Sequence, residues 1–395
     1  MELAQTLHGM GNKTLQQTPP AMIRAFDQEI SQIPDLVKLT LGEPGFDVPE
    51  HIKQAAIESI KQNDSHYTTA AGKPRLRQAV AADLKRRYQV DYDPASEVIV
   101  TNGATEALSA ATFSLFNPGD KVIIPTPGYA LYFPIIGYNG AVPVEVNTKE
   151  DGFILTPERL EQVIEENAPV KALLLNFPVN PTGRTYDKEQ LAALAAVIKR
   201  HHLLVISDEI YGDLTYDHRH YSLVEEIPEQ TILISGLSKS HAMTGWRIGY
   251  LAGPAELVKL ITKMHSFLIT CINDTAQAAA IEALENGQDD PVAFREEYHH
   301  RRDLMIKDLT AAGFEIATPE GAFYVFAKIP AAFGTDDFTF ARAIAHEAKV
   351  GLIPGSVFGP GGEGYVRLSY AADEETIKEA MKRIKAYMAA QGKEA

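Results

Sequence analysis

The segment Ile234-Ser-Gly-Leu-Ser-Lys-Ser-His-Ala-Met-Thr-Gly-Trp-Arg-Ile-Gly249 sets Lys239 among small residues and places Arg247 eight positions after it. The preceding apolar run, residues 231–234, predicts a buried strand, and the Ser-Gly pair that follows breaks that pattern. Lys239 is therefore predicted to lie in a loop at the end of a strand. In open α/β sheets, ligands bind along this edge of the sheet, so Lys239 is the leading candidate for a reactive residue.

The chemistry expected of Lys239 follows from its neighbours. A lysine can condense with an aldehyde once its ammonium group loses a proton, which burial and nearby cations promote. Ser235, Ser238 and Arg247 supply hydroxyl groups and a guanidinium group, which bind phosphate. A lone lysine is usually a solvated surface charge, but the small residues and the arginine around this one favour chemistry. An aldehyde-reactive lysine beside a phosphate clamp indicates pyridoxal 5′-phosphate (PLP) as the cofactor.

The pattern of the rest of the chain predicts the fold. From residue 97 onward, short apolar runs alternate with helical patterns, which is typical of a mainly parallel sheet with helices on both faces. The helical stretch 187–201 begins with Asp187 and Gln190 at capping-box spacing. The seven predicted strands are residues 97–101, 121–125, 142–146, 171–176, 203–207, 231–235 and 248–253.

These strands assign residues 46–289 to a large α/β domain. Residues 1–18 are polar and are predicted to form an irregular N-terminal arm. Residues 19–45 and 290–395 together predict a small α+β domain. The other predicted helices are residues 22–30, 49–62, 254–285, 292–312, 338–349 and 374–390, and the other predicted strands are residues 314–317, 323–327 and 364–369.

The composition excludes several classes of partner. The formal net charge of −15 argues against nucleic acid or an anionic membrane, because phosphate groups attract basic surfaces. No run of about 18 apolar residues offers a membrane span, and the first ten residues lack the apolar core of a signal peptide. A single cysteine, Cys271, cannot form an intrachain disulfide. These features predict a cytoplasmic location.

A predicted helix start supplies further groups for binding an anion. Gly103, Ala104 and Thr105 follow the first predicted strand. Free N–H groups and the positive end of the helix dipole attract anions at such a position. With Lys239 and Arg247, these residues are predicted to form the second side of the phosphate site.

Asp208 and Arg367 are charged residues next to apolar runs. Asp208 ends the predicted strand 203–207, where it could be a structural cap, a metal ligand or the acidic partner that a PLP pyridine nitrogen requires. No convergent set of ligands accompanies it, so no metal site is predicted. Arg367 lies on the predicted strand 364–369, where a buried guanidinium needs a carboxylate. That carboxylate is either an internal partner or part of a substrate.

Seven segments carry a family resemblance: Lys38-Leu-Thr-Leu-Gly-Glu-Pro44, Tyr67-Thr-Thr-Ala-Ala-Gly72, Gly103-Ala-Thr105, Asn180-Pro-Thr-Gly183, Asp208-Glu-Ile-Tyr211, residues 234–249 and Gly364-Tyr-Val-Arg-Leu-Ser369. Together they resemble the class I/II aminotransferases, which are PLP-dependent enzymes of fold type I, and among them the bacterial aromatic and aspartate type. The resemblance implies the PLP-dependent transferase fold, similar to that of aspartate aminotransferase, with a mainly parallel seven-stranded sheet in a large domain plus a small α+β domain.

The resemblance implies how the cofactor ring is held. Lys239 carries the cofactor, and Asp208 pairs with its pyridine nitrogen. Tyr211 and Asn180 contact the phenolate oxygen, and Tyr129 stacks on the ring.

The resemblance also implies a homodimer, because Tyr67 matches a tyrosine that reaches the partner subunit's cofactor phosphate. The family often has a hydroxyl residue three positions before the lysine, where this chain has Gly236. Either Ser235 or Ser238 is expected to replace it, with Ser238 favoured.

The expected reaction is transfer of an amino group from an L-amino acid to a 2-oxo acid by a ping-pong mechanism. The resemblance implies that Gly42 lies against the substrate and that Arg367 and Asn180 bind the substrate's α-carboxylate. An aromatic amino acid is the expected donor and 2-oxoglutarate the expected acceptor. Aspartate and N-acetyl-LL-diaminopimelate aminotransferases share these motifs, and a cystathionine-type β-lyase would use the same lysine and arginine, so these alternatives stay open.

Overall fold

The computed structural model describes residues 1–391, whose strands form three sheets. In chain order the strands are β1 (Val37–Lys38), β2 (Val98–Thr101), β3 (Lys121–Thr126), β4 (Val142–Asn147), β5 (Ala172–Asn176), β6 (Leu204–Asp208), β7 (Thr231–Gly236), β8 (Gly249–Ala252), β9 (Glu315–Ile316), β10 (Tyr324–Lys328), β11 (Val350–Gly351), β12 (Ile353–Pro354) and β13 (Tyr365–Ser369).

The α-helices surround these sheets. They are α1 (Lys13–Gln17), α2 (Met22–Ile30), α3 (Glu50–Lys61), α4 (Pro74–Tyr88), α5 (Ala104–Leu115), α6 (Tyr132–Tyr138), α7 (Pro157–Asn167), α8 (Lys188–Arg200), α9 (Leu237–Ser240), α10 (Ala255–Ile269), α11 (Asp274–Asn286), α12 (Asp290–Ala311), α13 (Asp337–Ala343) and α14 (Glu374–Ala390).

The largest sheet has seven strands in the order β2-β8-β7-β6-β5-β3-β4. All neighbouring pairs are parallel except those that involve β8, which runs antiparallel to β2 and β7. Every residue of β5 and β7 is buried, as expected for apolar strands with both faces covered. The predicted mainly parallel seven-stranded sheet is confirmed.

Two smaller sheets are built from the N-terminal region and the last third of the chain. The order β12-β13-β10-β9 forms an antiparallel sheet, and β1 pairs in parallel with β11. One apolar core includes Phe26 of α2 and Phe326 of β10 and extends to Tyr211, which follows β6. The predicted division into a domain of residues 46–289 and a second of residues 19–45 and 290–395 stays a prediction.

Several predicted helices are confirmed, and two patterns need correction. The predicted helices 22–30 and 374–390 match α2 and α14, and Asp187 and Gln190 form the predicted capping box of α8. The single helical pattern 254–285 is two helices, because Thr270 has a left-handed φ of 65° and Asn273 caps a new start at α11. The predicted helix 338–349 becomes π-helical after α13.

The N-terminal arm is more regular than predicted. It contains a 3₁₀ turn at Gln5–Leu7 and the short helix α1. The side chain of Asn12 accepts a hydrogen bond from the backbone N–H of Leu15, which caps α1. Within residues 1–391, no helix combines the length and the apolar character needed to cross a membrane.

Candidate active site

The large sheet brings the central polar residues to one edge. In the parallel register, Asn176 at the end of β5 lies beside Asp208 at the end of β6, which in turn lies beside Ile234 of β7. Because parallel strands point the same way, residues that follow their carboxyl ends meet along a common edge. Lys239 follows β7 and therefore belongs to this edge.

Lys239 lies on the one-turn helix α9 and not in the predicted loop. The chain turns into this helix directly after Gly236, and the N–H of His241 closes the turn on the carbonyl of Leu237. The Nζ atom of Lys239 donates to the carbonyl oxygen of Gly42 at 2.5 Å.

The surroundings of Lys239 favour the neutral amine. Burial lowers the pKa of Lys239 to about 8, and the guanidinium groups of Arg247 and Arg367 act in the same direction. The carboxylates of Glu43 and Asp208 oppose this effect. A lysine of this kind is deprotonated far more often near neutral pH than a lysine in water.

Asp208 is buried and held by hydrogen bonds to both carboxylate oxygens. Its Oδ2 accepts from the hydroxyl of Tyr132 at 2.8 Å, and its Oδ1 accepts from the N–H of Ile210 at 3.2 Å. The side chain of Asn176 donates to the backbone carbonyl of Asp208 at 2.9 Å. Burial raises the pKa of Asp208 to about 6, although these hydrogen bonds lower it. This carboxyl is therefore poised to share a proton with a basic ligand.

Tyr211 is joined to a residue from the antiparallel sheet. Its hydroxyl lies 2.9 Å from the hydroxyl of Tyr324 on β10. Both rings are buried, and burial raises the pKa of each phenol. The phenols are therefore neutral donors, one of which is free to donate to a ligand.

Arg367 is the largest fully buried side chain of the described structure. Its Nη1 donates to Oδ1 of Asn180 at 3.0 Å, and its Nη2 donates to the carbonyl of Thr40 at 2.7 Å. The guanidinium carbon lies 4.4 Å from the ring centre of Tyr324 and 5.1 Å from that of Phe358.

One donor of Arg367 has no partner. Its Nε is buried without a hydrogen bond, and no carboxylate of residues 1–391 forms an ion pair with it. Burial lowers the pKa of the guanidinium. An unpaired donor on a buried cation is costly. The Nε of Arg367 is therefore available to a hydrogen-bond acceptor on a ligand.

The start of α5 forms the opposite side of the site. Gly103 has a left-handed φ of 77°, and a Cβ there would collide with the Nη2 atom of Arg247, so only glycine lets the guanidinium approach. The N–H groups of Ala104 and Thr105 in the first turn are not needed within the helix. The guanidinium of Arg247 lies against Gly103, directly before this turn.

The two serines near Lys239 differ in their availability. The Oγ of Ser235 donates to the carbonyl of Glu209 at 3.3 Å. No residue in the described part of the chain accepts or donates a hydrogen bond at the Oγ of Ser238. Gly236 packs its Cα against Gly249 and the carbonyl of Ile248, and a side chain would collide there, which explains why no hydroxyl residue occupies this position.

Of the remaining predicted residues, Tyr129 lies among the charged groups of the site and Tyr67 does not. The ring of Tyr129 meets Tyr132 edge to face, with ring centres 5.6 Å apart. Burial raises the pKa of Tyr129, and the Arg24 guanidinium lowers it. Tyr67 is 87% exposed and stands apart from the others. Among residues 1–391, no group of three or more His, Cys, Asp or Glu side chains could hold a metal ion.

The structure adds residues that sequence patterns missed. Tyr132 could have been found, because it lies one helical turn after Tyr129 at the same strand end. Tyr324 and the carbonyl of Thr40 carry no local pattern, since they reach the site from the smaller sheets.

Comparisons with known proteins show which family this chain resembles in sequence and fold. Residues 34–384 match the family model described as aminotransferase class I and II. The probable N-acetyl-LL-diaminopimelate aminotransferase of Bacillus subtilis is 43% identical, over 93% of this chain and 92% of that protein. The aspartate aminotransferase from Thermus thermophilus with maleate has a TM-score of 0.89 and 38% identity, over 95% of this chain and 99% of that one. The aromatic aminotransferase from Pyrococcus horikoshii OT3 has a TM-score of 0.87 and 36% identity, over 93% and 99%.

Proposed function

The chain belongs to the class I and II aminotransferase family, and from this premise we propose that it moves the amino group of an aromatic L-amino acid to 2-oxoglutarate. Membership makes it a PLP-dependent aminotransferase with the fold of aspartate aminotransferase. The observation that carries the proposal is a lysine with a pKa of about 8 beside an arginine that has no carboxylate partner.

The donor set fits PLP. Lys239 supplies the amine for its aldehyde, and Asp208 supplies the acid for its pyridine nitrogen. Tyr211 and Asn180 supply donors for its phenolate oxygen, and Tyr129 supplies a ring that can stack on it. The proposed phosphate ligands are the first turn of α5 with Gly103, Ala104 and Thr105, the free hydroxyl of Ser238, and Arg247. When bound, PLP supplies an aldehyde for the amino group and a protonated ring that withdraws electrons from the reacting carbon.

Lys239 is proposed to be the general base that moves the Cα proton of the amino acid substrate. With PLP bound, the Nζ of Lys239 would act as the general base that takes the proton from the substrate Cα and holds it for return to the product. The lowered pKa of Lys239 raises the fraction of neutral amine that can act as a base. Asp208 would stabilise a proton on the ring of bound PLP, because its buried charge is screened little by water.

Arg367 is proposed to bind the substrate's α-carboxylate. The Nε that lacks a partner and the Nη1 that contacts Asn180 can both donate to carboxylate oxygens. Gly42 lies close to Lys239 and lines the same space. Binding through Arg367 therefore brings the substrate Cα near the Nζ atom.

The aromatic donor is supported by the rings that surround Arg367 and Tyr211. Phe323 and Tyr324 meet Tyr211 edge to face, and Phe358 lies under the guanidinium. Such walls favour a flat apolar side chain.

Arg24 favours the second candidate function, in which aspartate or N-acetyl-LL-diaminopimelate is the donor. Its guanidinium is close enough to lower the pKa of Tyr129. A cation at this margin can bind the distal carboxylate of a dicarboxylic substrate, including that of 2-oxoglutarate.

A homodimer in the cytoplasm is also part of the proposal. The exposed ring of Tyr67 is available to a partner subunit, where it would reach the cofactor phosphate. Analytical ultracentrifugation tests the dimer, and a Tyr67→Ala variant that binds PLP as tightly as the wild type would contradict this role.

The visible spectrum of the loaded protein tests the substrate. Phenylalanine, tyrosine, aspartate and glutamate are added singly, followed by 2-oxoglutarate. Loss of the cofactor's absorption with an aromatic donor and its return with 2-oxoglutarate supports the proposal. A response to aspartate alone favours the second candidate. Release of pyruvate and ammonia from cystathionine without an acceptor identifies a β-lyase.

A further inference from the structure

His265 on α10 is a buried histidine whose two ring nitrogens both face hydrogen-bond acceptors. Its side chain is 0% exposed. Nδ1 lies 3.0 Å from each carboxylate oxygen of Glu106, and Nε2 lies 2.7 Å from the carbonyl oxygen of Ala70. An ionised carboxylate and a backbone carbonyl accept hydrogen bonds and cannot donate them. Facing an ionised Glu106, His265 satisfies both contacts when each ring nitrogen carries a proton, and the two side chains then form an ion pair.

Glu106 lies in the first turn of α5. Its Oε2 also accepts from the N–H of Asn102 at 3.2 Å. The same turn presents the N–H groups of Ala104 and Thr105, which are the proposed phosphate ligands. A carboxylate here competes with a phosphate for the positive end of the helix dipole and repels its negative charge. A cation on Glu106 cancels that repulsion.

Ala70 belongs to the segment of residues 67–72, which we call the Tyr67 segment. The carbonyl of Ala71 accepts from the N–H of Val100 at 3.0 Å, and Gln277 donates to the hydroxyl of Thr68 at 3.0 Å. His265 supplies the bond that joins this segment to α5. His265 thus connects α5 to the Tyr67 segment through its contacts with Glu106 and Ala70.

We propose that His265 is a positioning residue for the cofactor phosphate. Its cation cancels the charge of Glu106 beside the bound phosphate and holds the Tyr67 segment against the same helix. The inference rests on the proposed assignment of the first turn of α5, Ser238 and Arg247 to the phosphate.

The test compares PLP with pyridoxal, which lacks the phosphate. Dissociation constants are measured on the full chain after removal of its cofactor, for the wild type, His265→Gln and the double variant His265→Gln/Glu106→Gln. His265→Gln is expected to weaken PLP binding by about tenfold or more, because an uncompensated carboxylate would lie in the helix turn proposed to bind the phosphate. Pyridoxal binding changes little, and the double variant recovers most of the loss. Equal losses for both ligands, or no recovery in the double variant, would overturn the proposal.

Arg247→Met separates failure of the inference from failure of the phosphate assignment. If Arg247→Met abolishes the preference for PLP over pyridoxal and His265→Gln retains it, the role of His265 is wrong and the assignment stands. If Arg247→Met retains the preference, the assignment itself is wrong and the inference falls with it.

The wild-type protein gives a check that does not depend on a variant. Nitrogen-15 NMR of the histidine-labelled holoenzyme is expected to show protons on both ring nitrogens of His265 at neutral pH. A ring that carries one proton overturns the proposal.

Discussion

The two halves of the candidate site are built in opposite ways. The strand-edge half holds Asp208 and Lys239 at the ends of neighbouring strands of the large sheet, and both carboxylate oxygens of Asp208 have partners inside the protein. The carboxylate half holds Arg367 on the antiparallel sheet, with a buried Nε that has no partner. Asp208 is thus satisfied by its own chain, whereas Arg367 keeps a donor for a ligand.

Of all the variants that test this comparison, Lys239→Ala should reduce catalysis the most, because Lys239 is the proposed general base of the strand-edge half. We expect kcat to fall by roughly 10⁴-fold, the upper range for loss of a general base. Steady-state kinetics measures the loss. Lys188→Ala, which removes an exposed lysine of α8, is the control and should retain full activity. A Lys239→Ala enzyme within tenfold of the wild type would refute the assignment.

Asp208→Asn should have the next largest effect. The amide cannot stabilise a proton on the pyridine nitrogen, so we expect kcat to fall by about 10²- to 10³-fold, as for loss of one preorganised electrostatic group. Asp208→Glu keeps the charge and should recover part of the activity. Equal activities of the Asn and Glu variants would show that charge at this position is irrelevant.

Lys239→Met should stabilise the protein without cofactor. The pKa of Lys239 is about 8 in the folded state, against 10.5 for a lysine in water. The unfolded state therefore binds more protons between pH 8 and pH 10.5, and the stability of the wild type rises with pH through that window. Below pH 8 the buried lysine costs about 3 kcal/mol.

Urea unfolding at pH 7 and pH 10.5 measures this cost. The advantage of Lys239→Met over the wild type should be largest at pH 7 and smallest at pH 10.5. An advantage that does not depend on pH would mean that the pKa of Lys239 is not lowered.

Arg367→Met and Arg247→Met should separate the two halves by their kinetics. Arg367→Met removes the proposed carboxylate ligand, so KM for the amino acid should rise by about ten- to a hundredfold while PLP affinity stays unchanged. Arg247→Met should lower PLP affinity with little change in KM measured at saturating PLP. Titration with PLP and steady-state kinetics check both expectations, and an exchange of the two effects would mean that the roles of the arginines are reversed.

Arg24→Gln should have the smallest effect, because Arg24 is exposed. We expect KM for 2-oxoglutarate to rise by about two- to fivefold, as for a solvent-exposed ion pair. KM for an aromatic donor, which has no distal carboxylate, serves as the internal control. A parallel rise in both KM values would contradict a role in binding the distal carboxylate.

The strand-edge half could largely be predicted from sequence, whereas much of the carboxylate half could not. Local patterns mark strands and their ends, so the positions of Asp208 and Lys239 follow from segments of a few residues. Tyr324 contacts Tyr211 across 113 residues of chain, and Thr40 contacts Arg367 across 327. No periodicity encodes such contacts, because they depend on how separate sheets pack.

Two errors in the prediction have local causes. The helix α9 is a single turn, too short to give the 3.6-residue periodicity that identifies helices. The break between α10 and α11 depends on the left-handed backbone of Thr270, a residue that rarely adopts it. The roles of individual site residues stay predictions.

The central claim is that Lys239 holds the cofactor, and borohydride reduction tests it most directly. Reduction of the loaded protein fixes the cofactor to the lysine nitrogen that holds it, and mass spectrometry of the digested protein locates the label. We predict a single labelled peptide that contains Lys239. A label on any other lysine would contradict the account.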